Sequence, residues 1–224
     1  ALELLVEMSE DDVVVIDDAK VVGALQSSTV RYDKKGDAHY DMASALIKSI
    51  RGSDPNAAVY YLARMLSGGE DPKFIARRLL ISASEDIGLA NPNAMIMANE
   101  TFAAVERLGM PEGRIPLGQC AVYLATSEKS NASYSAINLA MEAVRETGDL
   151  PVPLHLRNAP TQLMKDLGHG AGYQYDHASK ESFSGQEFLP PELSGTTFYV
   201  PGPNAREEKM RHALRANWKE KYGY

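Results

Sequence analysis

The sequence predicts an all-α fold, and two repeated features of residues 37–148 support that prediction. Apolar residues recur at helical spacing in successive segments, so each segment has one face to bury. Asp or Asn followed by Pro stands before three of these segments, and glycines stand after several of them. Six successive helices joined by short turns indicate helices that pack on their near neighbours.

The six helices are predicted from their caps and stops, and their predicted ranges are 39–51, 55–67, 72–87, 92–108, 116–127 and 131–147. An Asp or Asn side chain accepts hydrogen bonds from the first free N–H groups of a helix, and a following Pro has no donor to lose. This predicts caps at Asp54, Asp71 and Asn91, and Asp37 can cap the first helix. Glycines at 68–69, 88, 109 and 148 suit the left-handed position that ends a helix.

The segments on either side of the six helices differ from them in composition. Residues 1–30 hold seven acidic side chains and one basic one, with two short helical segments that are too small to enclose a core. The chain after residue 148 is rich in Pro, Gly and aromatic residues, which predicts an ordered coil held by its aromatic side chains. A short helix after Thr161 and a last helix from Asn204 to Tyr222 interrupt this coil, and Trp218 and Tyr222 are predicted to share one face of the last helix.

Composition excludes several classes of protein. The net charge is −7, yet the 194 residues after residue 30 carry 22 bases and 23 acids, so a strongly basic nucleic-acid module is not indicated. The chain has no apolar run of about 18 residues and no basic segment at its start, so neither a membrane span nor a signal peptide is expected. The single cysteine, Cys120, excludes an internal disulfide and a multi-cysteine zinc site. Because Ala1 lies within a predicted helix, we expect a fragment of a longer chain.

The search for catalytic or cofactor motifs predicts no site in this chain. No GxxxxGK[ST] phosphate loop is present, and the glycines of residues 168–172 are interpreted as a helix end followed by a tight turn. Glu85 and Asp86 are adjacent carboxylates on one helix, which favours a structural ion pair or a subunit contact over acid–base catalysis. Cys120 stands in an apolar helix and is expected in the core.

Histidines and basic residues are interpreted mainly as packed or solvated side chains. His155, His169 and His177 lack the spacing that places two zinc ligands on one helix face. Arg77 and Arg78 lie within the apolar segment FIARRLLI, so we expect them in a specific ion pair or an interface. Most of the remaining basic side chains fall into clusters that solvated helix faces explain.

Three longer segments of the chain resemble one protein family. Residues 31–92 (RYDKKGDAHYDMASALIKSIRGSDPNAAVYYLARMLSGGEDPKFIARRLLISASEDIGLANP), 115–131 (IPLGQCAVYLATSEKSN) and 151–175 (PVPLHLRNAPTQLMKDLGHGAGYQY) are the motifs concerned. They resemble the part that follows the ATPase module in the family of replication-associated recombination protein A and the Werner-helicase-interacting ATPase. The resemblance covers about residues 1–205.

The resemblance implies a fragment of an AAA+ ATPase related to clamp loaders, which acts at stalled or damaged replication forks in DNA recombination and repair. In that reading, residues 1–30 are the end of the lid domain and residues 31–224 are a collar-like helical oligomerisation domain that assembles a tetramer. The ATP-binding motifs would lie upstream, so the fragment would have no catalytic, cofactor or metal residues, while the full-length protein would use ATP and Mg²⁺. DNA and single-strand-binding protein are the implied partners, and the implied location is cytoplasmic and nucleoid-associated, away from any membrane.

Candidate residues can be named for a subunit interface and for a DNA contact, and two alternative functions remain open. The side chains expected in a subunit interface are Tyr60, Tyr61, Arg64, Met65, Arg77 and Met97. The basic side chains expected to contact DNA, weakly and with strong salt dependence, are Lys48, Arg51, Arg77 and Arg78. One alternative is a small-molecule enzyme whose polar cleft is built from Pro153, His155, Arg157, Asn158, His169, Tyr173 and Tyr175. The other is a direct DNA-binding module that uses this coil or the basic helix faces.

Overall fold

A computed structural model of the chain describes residues 37–178 and 182–224, and all the regular elements in these ranges are helical. The all-α prediction is therefore confirmed. The α-helices of these ranges are α1 Asp37–Arg51, α2 Pro55–Ser67, α3 Pro72–Ser82, α4 Asn93–Leu108, α5 Arg114–Thr126, α6 Ala132–Thr147, α7 Gln162–Asp166 and α8 Ala205–Trp218. The expectations for residues 1–36 lie outside the described residues.

The described residues form two units. Among the described residues, the first unit contains residues 37–87 together with Pro92–Ser127. The second unit contains Gly88–Asn91 together with residues 128–178 and 182–224.

The first unit is built around α5. Leu117, Cys120 and Leu124 follow helical spacing along α5 and are fully buried, and Ala121 and Ala125 on a neighbouring side of the helix are buried as well. A helix that is apolar on several sides belongs in an interior. Consistent with this, α5 packs against the four other α-helices that the structure describes in this unit, while α1 pairs with α2 and α3 pairs with α4.

Two of the three predicted Pro-containing helix starts are confirmed together with their caps, and the third helix begins at Asn93, one residue after the predicted start, with a different N-cap residue. The Asp54 carboxylate accepts from the backbone N–H groups of Asn56 and Ala57 at 3.0 and 2.9 Å, and Asp71 accepts from Lys73 N–H at 3.0 Å. The start of α4 has no side-chain cap, and its N-cap residue is Pro92 rather than Asn91. Pro92 has helical backbone angles, whereas side-chain capping requires an extended residue at that position.

The prediction of one helix over residues 72–87 is wrong at its C-terminal end. Helix α3 ends at Ser82, and the chain continues as a π-helical turn over Ala83–Ile87 and a 3-10 turn over Gly88–Ala90. A π turn accommodates an extra residue and changes the direction of the side chains that follow. In this turn Asp86 is buried, and its Oδ2 accepts a hydrogen bond from Ser82 Oγ at 2.8 Å.

Glycines end the helices largely where the sequence places them. Gly109 and Gly148, which follow α4 and α6, have φ angles of 68° and 69°. After α2, Gly68 stays in the right-handed helical region, and Gly69 with φ of 79° takes the left-handed position.

The second unit consists of α6, α7, α8 and the coil between them. Thr161 caps α7 and accepts from Met164 N–H. Asn204 caps α8, which begins close to the predicted position, and accepts from Glu207 N–H. Helix α8 ends at Trp218 instead of Tyr222, because Lys219 adopts a positive φ of 51°.

Aromatic side chains hold the coil of the second unit against the end of α8, as the composition predicted. The Trp218 ring meets the coil residues Phe183 and Phe188 edge to face, with centroids 4.9 and 6.3 Å away. Tyr222 lies beyond the end of the helix but still meets Trp218 at 5.2 Å. The proximity expected for Trp218 and Tyr222 is therefore confirmed, although the two do not share a helix.

A buried carboxylate connects the start of α8 to the residues before α6. Glu207 is fully buried, and it accepts hydrogen bonds from Asn204 Nδ2 at 2.5 Å and from the Tyr199 hydroxyl at 3.1 Å. Ser130 and the backbone N–H of Gly202 donate to the same carboxylate. A Cβ at Gly202 would lie 2.9 Å from Glu207 Oε2 and 3.0 Å from Ser130 Oγ, so a larger residue here would displace the side chains that bind the buried carboxylate.

We expect Glu207→Gln to destabilise the second unit at neutral pH and to remove part of its sensitivity to acid. Burial disfavours the carboxylate, but hydrogen bonds from Ser130, Asn204, Gly202 and Tyr199 outweigh it and lower the Glu207 pKa. The carboxylate therefore contributes stability above the unfolded pKa of about 4.3, and this contribution is lost as the pH falls through the folded pKa. Replacement by an amide turns an NH₂ group towards these donors, which should lower the free energy of unfolding by about 1–3 kcal/mol.

Trp218 fluorescence during urea unfolding measures this effect, since it is the only tryptophan and lies in the second unit. Glu208→Gln is the control because Glu208 is an exposed neighbour on the same helix. Equal free energies of unfolding for the two variants at pH 7, or an unchanged acid dependence in Glu207→Gln, would contradict the role of the buried carboxylate.

Candidate functional surfaces

Three of the six predicted interface side chains lie on the surface of the first unit. Tyr60 is 58% exposed, and the guanidinium of the exposed Arg64 lies over its ring at 5.8 Å from the centroid. Arg77 is also exposed, and its Nη2 lies 3.6 Å from Oδ2 of Asp71, the N-cap residue of α3. Tyr and Arg are enriched where protein surfaces meet, so the Tyr60–Arg64 pair on α2 stays a candidate contact.

The other three predicted interface side chains belong partly or wholly to the core. Met65 is fully buried within the chain, so it offers no surface to a partner and is removed from the candidate surface. Tyr61 and Met97 are half-buried and pack against the core of the first unit. The sequence could not separate these cases, because an apolar residue on a helix fits an interior and an interface equally well.

Arg51, predicted as a DNA contact, is engaged in an ion pair inside the first unit. Its Nε donates to the buried Asp86 Oδ1 at 2.5 Å, and its Nη2 lies 3.1 Å from Glu85 Oε1. The structural ion pair expected for Glu85 and Asp86 is therefore confirmed, with the end of α1 supplying the cation. Half of the Arg51 side chain stays exposed, so its guanidinium is both paired with these carboxylates and accessible to solvent.

The other predicted DNA contacts have different environments. Lys48 is exposed on α1, one turn before Arg51. Arg78 is half-buried, with its guanidinium 5.5 Å from the centre of the Phe74 ring. Its Nε is buried without a hydrogen-bond partner among the described residues. An ion pair or an interface was expected for Arg77 and Arg78. Within the described residues, the 3.6 Å contact of Arg77 with Asp71 is the ion pair that corresponds to this expectation.

Two of the coil residues considered for a polar cleft, His155 and Arg157, make hydrogen bonds to the backbone of the coil. The His155 Nε2 atom lies 2.7 Å from the Glu187 carbonyl oxygen, and Arg157 Nε donates to the Val152 carbonyl at 2.6 Å. Tyr173 and Tyr175 are exposed at 48% and 63%. These contacts explain the polar residues of the coil structurally and favour neither the enzyme nor the DNA-binding alternative.

The glycines of residues 168–172 form the predicted helix end and turn. Gly168 has a φ of 82°, and the N–H groups of Gly168 and His169 donate to the carbonyls of Lys165 and Met164 at 2.9 and 3.0 Å. These two bonds close the C-terminus of α7.

Cys120 lies in the core, as expected, and is poorly suited to nucleophilic chemistry. It is fully buried, and burial raises the pKa of its thiol to about 11. The thiolate is the nucleophilic form, so this environment keeps the sulfur unreactive. Within residues 37–178 and 182–224, no group of three or more His, Cys, Asp or Glu side chains could hold a metal ion.

Sequence reasoning missed two features that the structure brings out. One is the buried Glu207, which looked like an ordinary acid in the first turn of a polar helix. The other is the exposed apolar character of α6, on which five large apolar side chains are about half exposed. The spacing of these residues along α6 was the signal that could have revealed the second feature.

In the part of the chain that is described, no helix is both long and apolar enough to cross a membrane.

Comparison with known protein families gives two adjoining matches. Residues 52–218 match the family model described as MgsA AAA+ ATPase C terminal, and residues 1–51 match the model described as AAA C-terminal domain. The division between the two families falls between α1 and α2. The division proposed from the sequence, at residue 30, stays a prediction.

Individual relatives agree with the family matches. The chain is 45% identical over 216 residues to replication-associated recombination protein A of Coxiella burnetii, covering 95% of this chain and 49% of that protein. It is 45% identical to the Escherichia coli protein of the same name, over 83% of this chain and 42% of that one. The Dictyostelium discoideum ATPase WRNIP1 is 44% identical over 83% of this chain and 21% of its own length. The chain thus spans about half the length of the bacterial relatives that it matches.

We expect Arg51→Ala to destabilise the first unit, while Lys48→Ala has little effect. Removing the Arg51 guanidinium leaves the buried Asp86 carboxylate with the hydrogen bond from Ser82 but without its cation. The loss should lower the free energy of unfolding by roughly 1–3 kcal/mol after allowing for the exposure of Arg51. Lys48 is an exposed base on the same helix, and replacing it should change the stability by less than about 0.5 kcal/mol. Urea unfolding followed by far-UV circular dichroism measures both variants, and equal midpoints would show that the ion pair contributes nothing.

Proposed function

The chain belongs to the MgsA AAA+ ATPase C-terminal family, and from this premise we propose that it is the assembly part of a clamp-loader-like ATPase. In this proposal, the chain holds the subunits of the full-length protein together as a tetramer while the ATPase modules act on DNA at replication forks. The relatives are replication-associated recombination proteins and AAA+ ATPases, which supports a role in replication and recombination. ATP and Mg²⁺ would bind outside residues 1–224, in the part of the longer protein that the match does not cover.

The observation that supports an assembly role most directly is the location of the family match. The matched region lies in the C-terminal half that is shared with these ATPases, and the chain has no phosphate-loop motif of its own. An AAA+ ATPase has its nucleotide sites at subunit borders, so neighbouring subunits must be held in register while the motor parts move. A rigid helical unit such as the one around α5 is suited to that mechanical task.

The charged side chains of the chain support contacts with other protein subunits more than an extensive interface with DNA phosphates. Of the four predicted DNA contacts, Arg51 is paired with two carboxylates. Fewer free bases neutralise fewer phosphates, which lowers both DNA affinity and its salt dependence. We therefore propose that DNA and single-strand-binding protein are partners of the full-length protein, and that this chain contributes assembly.

We expect the 224-residue chain to self-associate, with a mass of about four times 24.5 kDa at micromolar concentration. A closed dihedral tetramer is the common symmetric arrangement for four copies, and it contains two different two-fold contacts. Multi-angle light scattering over a concentration series measures the mass directly. A mass of 24.5 kDa that stays constant as the concentration rises would defeat the proposed assembly role.

We expect no ATP hydrolysis by the isolated chain, with or without DNA. The chain contains no GxxxxGK[ST] loop, so it has no backbone cradle for the nucleotide phosphates. A phosphate-release assay measures turnover, with a full-length relative as the positive control. Turnover that disappears after a single substitution within residues 1–224 would place an active site in this chain and contradict the proposal.

A further inference from the structure

An exposed apolar stripe runs along α6 of the second unit. We use the name "α6 stripe" for Tyr134, Ile137, Met141 and Val144, each of which is 46–58% exposed. Of the sixteen residues of α6, Ala132 alone is buried in the described structure. Helix α6 packs on the Gly88–Ala90 turn of the same unit, but this contact leaves the α6 stripe about half exposed. An isolated helix of this length is marginal in water, so covering the stripe would stabilise α6.

The spacing of the α6 stripe matches a helix partner. Its members follow one another at intervals of three, four and three residues, which is the spacing of a coiled-coil seam. At 100° per residue, the four side chains lie within an arc of about 80° along one side of the helix. The small residues Ser133 and Ala140 flank one edge of this arc, so a second helix can approach closely.

The same spacing makes the α6 stripe complementary to itself. Intervals of three, four and three read the same in both directions, so an antiparallel copy places Ile137 opposite Met141 and Tyr134 opposite Val144. This arrangement sets the largest side chain of the stripe against the smallest. It also places the two helix dipoles side by side in opposite directions, which is the favourable arrangement. A two-fold contact of this kind uses the same surface on both subunits.

The charges on α6 are compatible with self-pairing. Residues 132–141 carry no charge, and Glu142 and Glu146 lie about 120° and 160° from the centre of the stripe. Arg145 borders the stripe and, in the antiparallel pair, approaches the uncharged Asn131 of the copy. Asn138 meets its own copy near the two-fold axis, where one amide donates and the other accepts. No like charges therefore meet across the seam.

We propose that α6 pairs with α6 of a second copy of this chain, antiparallel and through the α6 stripe. This inference rests on the proposed assembly function and identifies one of the two contacts of the tetramer. The four side chains of the stripe are each about half exposed and form one contiguous apolar patch, and such patches are often functional. The pair buries less than a standard interface of about 1,600 Å², as expected when a second contact also holds the assembly together.

The first test compares two charge insertions on opposite sides of α6. The double variant Ile137→Glu/Met141→Glu places four carboxylates in the seam of each pair, and we expect it to halve the mass measured by light scattering. Leu139→Glu is the matched control: Leu139 is 46% exposed on the same helix but lies about 180° from the centre of the stripe. The control should keep the wild-type mass. Far-UV circular dichroism and Trp218 fluorescence verify that each variant is folded.

The outcomes separate this inference from the proposed function. A wild-type chain that is monomeric defeats both. If the wild-type chain is an oligomer and the double variant has the same mass, the α6 pairing is overturned and the assembly role still stands. If the double variant keeps that mass but has a lower free energy of unfolding, another part of the same chain covers the stripe. A loss of mass in Leu139→Glu equal to that in the double variant would also overturn the assignment.

Cross-linking tests the direction of the pair. An oxidised mixture of Ile137→Cys and Met141→Cys chains should form a disulfide between the two kinds of chain, whereas each variant alone should cross-link less. Cross-linking of each variant with itself, equal to that in the mixture, would indicate a parallel pair and overturn the antiparallel proposal. The native Cys120 adds little background, because it is buried and its thiol pKa is raised to about 11.

Discussion

The first unit depends on one helix whose apolar residues must be covered from several directions. Leu117, Cys120 and Leu124 are fully buried on α5, and the four surrounding helices supply that cover. Alanines at positions 121 and 125 keep α5 narrow on a second side, so its neighbours can pack closely. The close packing of α1 through α4 around α5 follows from this requirement, and it fixes which faces of these helices remain on the surface.

Buried carboxylates add specificity to both units. Asp86 becomes buried because a π turn follows α3, and it is held there by Ser82 and Arg51. Glu207 is buried among neutral donors, and hydrogen bonds from side chains including Asn204 and Tyr199 satisfy its oxygens. Removing a partner from either group would leave a charge in the interior, so each acts as a constraint on local geometry. For Arg51, this constraint reduces the charge available for a nucleic acid.

The proposed function and the α6 pairing rest on different surfaces of the chain. The exposed Tyr60 and Arg64 of the first unit and the α6 stripe of the second unit supply two candidate contacts, which is the number that a dihedral tetramer requires. In the proposed function, such contacts would hold the subunits of the longer ATPase together. The coil between α6 and α8 contributes mainly internal contacts, such as that of His155 with the Glu187 carbonyl.

The sequence by itself determined the helical class, most helix positions and the family. Caps such as Asp54 and stops such as Gly109 are local, because their chemistry involves residues within one or two turns of the chain. Only the tertiary structure decided that Met65 is interior while Tyr60 is exposed, that Arg51 is the cation for Asp86, and that Glu207 is buried. These outcomes depend on contacts between residues far apart in sequence. Helical periodicity shows that a face must be covered, but the three-dimensional packing alone selects the neighbour that covers it.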